Sequence, residues 1–146
     1  PLFGPATPDE DGLPVTVTPG RTAREEDTAL VEAFFRTLGC SPFRATADEH
    51  DRAMARVQNM NFITNLAYFA LLAGQEDLLP YITPSFRRRL HAAEKMLTED
   101  GTMFTGLFEA NPYSHEAVRQ YRKMLNVAAA GDIELLCRRA QWWWKK

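Results

Sequence analysis

Cysteine is scarce: Cys40 and Cys137 are the two in the chain, far apart and without metal-ligand spacing. A disulfide scaffold and a zinc cluster are therefore excluded, and reduced thiols in a cytoplasmic protein are expected. Long hydrophobic runs are missing too. The most apolar stretch, residues 62–73, is too short to span a bilayer and contains Thr64 and Asn65. Charge of one sign is not in excess. A net charge of −2 gives no general attraction to nucleic acid or to an anionic membrane. No glycine-rich phosphate loop and no nucleophile motif is present. Internal repeats and low-complexity tracts are absent as well. The opening residues, PLFGPATPDEDG, have neither a basic start nor an apolar run, so no secretory leader is expected.

What is present is an ordinary apolar fraction of 45% over 146 residues, enough for a domain with a real core. The most organised stretch is residues 47–74, uninterrupted by proline. Thr46 followed three residues later by Glu49 is a capping box, and Gly74 is a stop signal. Ala53, Val57, Met60, Ala67 and Leu71, with Thr64 in the gap, recur at spacings of three and four and predict a long helix buried along that side. Asp51, Gln58, Asn61 and Asn65 form a neighbouring polar stripe inside an otherwise apolar segment. Buried polar groups need partners, which other helices or a polar ligand would supply.

Ahead of this helix the pattern alternates. Residues 1–12 read as loop and residues 13–18, LPVTVT, as a short strand. A helix is predicted over residues 23–38, with Thr22 as its cap and acids in its first turn. Leu30, Val31, Phe34 and Phe35 would form its apolar face, and Gly39 its stop. A second strand is predicted over residues 42–45. Strand, helix, strand is a βαβ unit that normally belongs to a larger parallel sheet. Residues 1–46 thus read as the end of an α/β domain belonging to a longer protein, and residues 47–146 as a helical domain. The fold class is mainly α.

Beyond residue 74 only helices are expected. They are a short turn at 76–82, a helix from Pro84 capped by Thr83, and a segment over 102–110 ended by Asn111-Pro112. A helix over 114–130 capped by Ser114 and a last helix over 132–146 follow. Trp142, Trp143 and Trp144 cannot share one face, since neighbours on a helix point about 100° apart. Other elements or a second copy of the chain would have to cover them.

The densest positive patch is TPSFRRRLH, residues 83–91. Arg87, His91 and Glu94 fall on one side of that helix, with Arg88 and Arg89 pointing elsewhere. Arg87 flanks the stripe through Phe86, Leu90, Ala93 and Leu97, where its guanidinium could grip a carboxylate bidentately or pair with a structural acid. His50 and Asp51 are adjacent but diverge on a helix, so they are not a ready-made dyad; His115 reads as a surface residue.

Taken together, PLFGP at residues 1–5, LGC at 38–40, EHDRAMARVQ at 49–58, TPSFR at 83–87 and GD at 131–132 resemble the C-terminal part of prephenate dehydrogenases. The resemblance implies a Rossmann domain followed by an all-helical dimerisation domain, with the active site between them. It also implies oxidative decarboxylation of prephenate to 4-hydroxyphenylpyruvate with NAD or NADP. Arg87 matches the family's carboxylate-binding arginine. The catalytic histidine of the family's H-P-x-F-G-P motif would stand just before Pro1, so no catalytic residue is expected among the 146. Where many relatives carry a substrate-contacting histidine in a Q-x-L-x-H-F pattern, this chain has Phe62. Gln58, Asn61 and Asn65 are the substrate-binding candidates beside Arg87. Arogenate dehydrogenase, or a non-catalytic helical dimerisation or regulatory module, are the alternative readings. A cytoplasmic homodimer without nucleic-acid or membrane partners is expected.

Overall fold

A computed structural model describes residues 11–145. The PLFGP motif, residues 1–10 of the opening loop, and Lys146 lie outside the described residues. The architecture is mainly helical with one small sheet. The chain divides into two compact units between Ala53 and Met54, inside the long helical run, whereas the sequence places the boundary after residue 46.

In the first unit, β1 (Pro14–Val17) and β2 (Ser41–Arg44) pair in parallel, Pro14 opposite Ser41 and Val17 opposite Arg44. The helix α1 (Glu25–Thr37) connects them. Thr22 does not cap it. Arg24 stands at the cap position without a side-chain cap bond, and its guanidinium reaches forward to Asp27 at 2.9 and 3.1 Å. Three first-turn acids already satisfy the helix dipole there. At the other end Gly39 takes φ +76°, a left-handed conformation. A Cβ there would sit 2.7 Å from an Asp11 carboxylate oxygen.

The apolar side of α1 is not its buried side. Thr28 and Glu32 are buried, whereas Leu30 and Phe34 are 70% and 56% exposed. Glu32 is held by two arginines. Arg44 on β2 ion-pairs with it and, through both Nη atoms, with Glu25 at 2.7 Å, while Arg36 approaches Glu32 at 3.3 Å. Two strands do not make a stable sheet by themselves, and among the described residues nothing covers Leu30 and Phe34.

The helical run that follows begins as predicted. In α2 (Ala47–Met54) the Thr46 hydroxyl accepts from the Glu49 N–H at 3.2 Å, and the Glu49 carboxylate accepts from the Thr46 N–H at 2.8 Å. The spacing then widens into a π segment, Ala55–Asn59, before α3 (Met60–Leu71). The helix stops before Gly74, which carries φ +77°. A π turn takes one more residue than an α turn, so every face beyond it is rotated.

From Met54 onward this run belongs to the second unit, whose further elements are a 3₁₀ turn (Glu76–Tyr81), α4 (Pro84–Thr98), α5 (Gly101–Ala110), α6 (Ser114–Ala129), α7 (Ile133–Ala140) and a 3₁₀ turn (Gln141–Trp144). The core centres on Phe62, Ala93 and Met96, with Phe69, Leu97 and Phe104 packed around them. Phe62 stacks on Phe104 at 5.5 Å. The predicted face of the long helix is therefore corrected. Ala55, Asn59 and Phe62 are buried, while Val57 and Leu71 are 64% and 70% exposed. The segment is apolar on two sides, and the aromatic side found partners.

Ser114 also departs from its predicted role. It is the first residue of α6, fully buried, and its hydroxyl accepts from the Asn59 amide at 2.8 Å. Thr83 does cap α4, accepting from the Phe86 N–H at 3.2 Å, with Pro84 at the first helical position.

Candidate functional site

The second unit places the candidate residues on α3 and α4. Pro84 opens α4 immediately after the Thr83 cap, so the arginines follow within its first two turns. Steps of 100° per residue then put Arg87 and Arg89 on nearly opposite sides of the helix.

Arg87 lines a cavity of about 540 Å³ together with His91, Glu94, Leu90, Phe69 and Thr98. Arg87, His91 and Glu94 thus share one side, as the spacing predicts. His91 Nδ1 lies 3.6 Å from a Glu94 oxygen. Among the described residues, no carboxylate lies within ion-pairing distance of Arg87, Arg88 or Arg89. Glu94 lines the same cavity but is turned to His91, and an exposed guanidinium that is not ion-paired, beside Phe69 and Leu90, is suited to a carboxylate ligand carrying an apolar body.

The polar stripe of the long helix meets a different arginine. Asn65 donates from Nδ2 to the Asn61 carbonyl at 2.9 Å and accepts at Oδ1 from Arg89 Nε at 3.2 Å. The Arg89 guanidinium carbon stands 3.7 Å from the centre of the Tyr68 ring. Asn61, Asn65 and Tyr68 are spaced by four and three on α3, one face of a helix. Gln58 lies half-buried in the π segment, and the structure does not bring Arg87 into contact with Asn61 or Asn65. Among the described residues no hydrogen bond joins Arg87 to Gln58, Asn61 or Asn65.

Tyr68 also lines a second cavity of about 500 Å³, walled by Phe69, Phe86, Leu90, Leu78 and Ile82. Sequence reasoning missed Arg89 and Tyr68. The i, i+4, i+7 spacing of Asn61, Asn65 and Tyr68 was the available signal. It also missed Asn59, whose Nδ2 donates to Ser114 and approaches the Leu107 carbonyl at 3.5 Å. An asparagine in an apolar segment carries no signal that separates an internal bond from a ligand contact.

His50 Nδ1 approaches the Asp51 carboxylate at 3.5 Å. His115 has its side chain 66% exposed and its ring edge-on to Phe108. Among the described residues no group of three or more histidines, cysteines and acids is placed to hold a metal ion, and no helix is long and apolar enough to cross a membrane. Cys40 and Cys137 are free thiols.

No protein-family model matches the chain, and no curated protein matches it significantly in sequence. Solved structures do match its fold. The arogenate dehydrogenase of Synechocystis superposes with a TM-score of 0.69 over 91% of this chain at 18% identity. The prephenate dehydrogenase of A. aeolicus, in complex with hydroxyphenyl propionate and NAD+, superposes with a TM-score of 0.71 over 90% at 21% identity. The chain spans 51% and 45% of those two chains, about half of each. The fold is thus that of a large part of these two dehydrogenases.

Proposed function

We propose that the chain is the C-terminal part of a prephenate dehydrogenase: residues 1–46 the end of its nucleotide-binding domain, residues 47–146 its helical substrate-binding and dimerisation domain. The observation that carries the reading is the match of nine-tenths of the chain to about half of a dehydrogenase that holds NAD+ and a hydroxyphenyl carboxylate. The motif set around EHDRAMARVQ and TPSFR supports it independently.

In this reading Arg87 binds a prephenate carboxylate, and its lack of an acid partner supports that role. Gln58, Asn61 and Asn65 supply hydrogen bonds to the substrate, compensating for Phe62 at the histidine position. Burial of Phe62 against Phe104 keeps its ring in the core, so the polar work passes to neighbours. The cofactor, NAD or NADP, supplies the hydride acceptor and is bound mainly by the preceding domain. Loss of the ring carboxylate makes the ring aromatic and drives the reaction, so the protein mainly orients its reactants. The 146-residue chain alone is expected to be inactive. The whole enzyme is expected to work in tyrosine biosynthesis as a cytoplasmic homodimer. The Synechocystis neighbour keeps arogenate open as substrate.

The test is prephenate-dependent NAD(P) reduction by the full-length parent, wild type beside Arg87→Ala. Loss of a charge-assisted pair worth about 2 kcal/mol raises the apparent KM about 30-fold. An inert wild type that turns over arogenate transfers the assignment to that substrate. Inertness with both substrates favours a non-catalytic helical module.

A further inference from the structure

His91 follows Arg87 by one turn on α4, and the two line the same cavity of about 540 Å³. Residues four apart on a helix place their Cβ atoms roughly 5–6 Å from each other on one face. The His91 side chain is 90% exposed, so a ligand in the cavity reaches it without disturbing the core. Its Nδ1 faces a Glu94 carboxylate oxygen at 3.6 Å, which leaves Nε2 as the ring nitrogen turned to a ligand. The neighbouring charged groups are engaged elsewhere. Lys95 donates to Asp100 at 2.6 Å, and Arg88 donates to the Ser85 hydroxyl at 3.0 Å. On the helices packed against α4, α3 carries Tyr68, whose ring lies under Arg89, and α5 carries Glu109, whose carboxylate approaches His115 at 3.9 Å.

Arg87 and His91 thus stand one turn apart beside an apolar wall of Phe69, Leu90 and Leu97. Arg87 suits one carboxylate. A second carboxylate on the same small ligand would meet His91 Nε2 and set the imidazole between two anions, the ligand's and that of Glu94. In that setting both ring nitrogens donate, so the bound imidazole is charged and its second proton comes from solvent as the ligand arrives. A ligand with one carboxylate, held by Arg87, makes no such demand.

We propose that His91, backed by Glu94, is a substrate-binding residue of the Arg87 cavity: as an imidazolium it holds the second carboxylate of the substrate and makes substrate affinity depend on pH. This rests on the function proposed above, because prephenate and arogenate each carry a ring carboxylate and a side-chain carboxylate. Binding takes up a proton wherever the free imidazole is neutral, so affinity falls as the pH rises. The ring carboxylate departs in the reaction, so the product keeps one acid and gives up one of the two contacts.

Steady-state kinetics of the full-length parent from pH 7 to pH 9 test it, with whichever of prephenate and arogenate the wild type turns over. In the wild type KM is expected to rise about fivefold over that range. His91→Leu raises KM about tenfold at pH 7 and leaves kcat within about twofold. His91→Gln keeps a neutral donor near the place of Nε2, so its KM lies between the two at pH 7 and stays level to pH 9. Circular dichroism establishes that both variants are folded. An unchanged KM in folded His91→Leu, a loss confined to kcat, or a rise with pH that persists in His91→Gln overturns the role of His91 and leaves the dehydrogenase reading standing. A wild type inert with both substrates overturns that reading and this one together.

Discussion

At the scale of single residues, Thr22 and Thr83, both read as helix caps, separate cleanly. Thr83 accepts a hydrogen bond from the Phe86 N–H, and Thr22 caps nothing. Thr83→Ala is expected to cost about 1 kcal/mol of stability and Thr22→Ala almost nothing, read as shifts in the urea midpoint. Both threonines precede a plausible helix start, but only Thr83 is followed by a proline that sets the first helical φ. Ser114 is the opposite case, a residue with the right chemistry for a cap and a different use. Its buried hydroxyl satisfies Asn59, so Ser114→Ala leaves a buried amide short of a partner. A loss of about 1–3 kcal/mol is expected. A change below about 0.5 kcal/mol would show that the pair does not hold the π segment in place.

At the scale of elements, the first unit is held by charge where a helix–sheet interface is usually apolar. The Arg44 hydrogen bonds, reinforced for Glu32 by Arg36, hold the Glu25 and Glu32 carboxyls below their ordinary value of 4.5, and the same contacts push Arg44 upward. A carboxyl whose folded value is lowered binds fewer protons folded than unfolded near that pH, so acid favours unfolding. The contribution is present in full above about pH 4.5 and is lost as the pH falls through the lowered folded values. Glu32→Gln is expected to flatten this acid limb in melts followed from pH 6 to pH 3. An unchanged slope would mean the carboxylate contributes nothing to folding. The long helix teaches a different lesson. Its capping box and its glycine stop were legible because each depends on residues three or four apart. Its buried face was not. The π turn rotates the faces, and from Met60 onward both sides are apolar enough to pack, so Phe62 meeting Phe104, Ala93 and Met96 decided the matter.

At the scale of the whole molecule, the buried apolar residues are few and mostly small beside those left open. Ala55, Ala93 and Ala117 are buried, while Trp143 and Trp144 are 72% and 82% exposed. Val57, Leu71, Leu79 and Leu125 are open as well. Exposed apolar area on this scale marks surfaces that another chain covers. A homodimer through the helical domain is the expected outcome in sedimentation at micromolar concentration, and Trp143→Glu with Trp144→Glu is expected to shift it toward monomer. A wild type sedimenting as a monomer would defeat the prediction.

The sequence by itself determined the kind and order of the elements, the parallel strand–helix–strand opening, and the helical character of everything after it. Those features follow from backbone propensity, capping and periodicity, which act over a few residues. It also placed Arg87, His91 and Glu94 on one side of α4, a matter of spacing alone. Only the tertiary structure decided which side of each helix is covered, that Ser114 serves Asn59, and that Asn65 meets Arg89. Those outcomes turn on contacts between residues up to 55 positions apart, such as Asn59 with Ser114. Local pattern cannot rank two apolar faces against each other, because the difference lies in the partner that arrives to cover one of them.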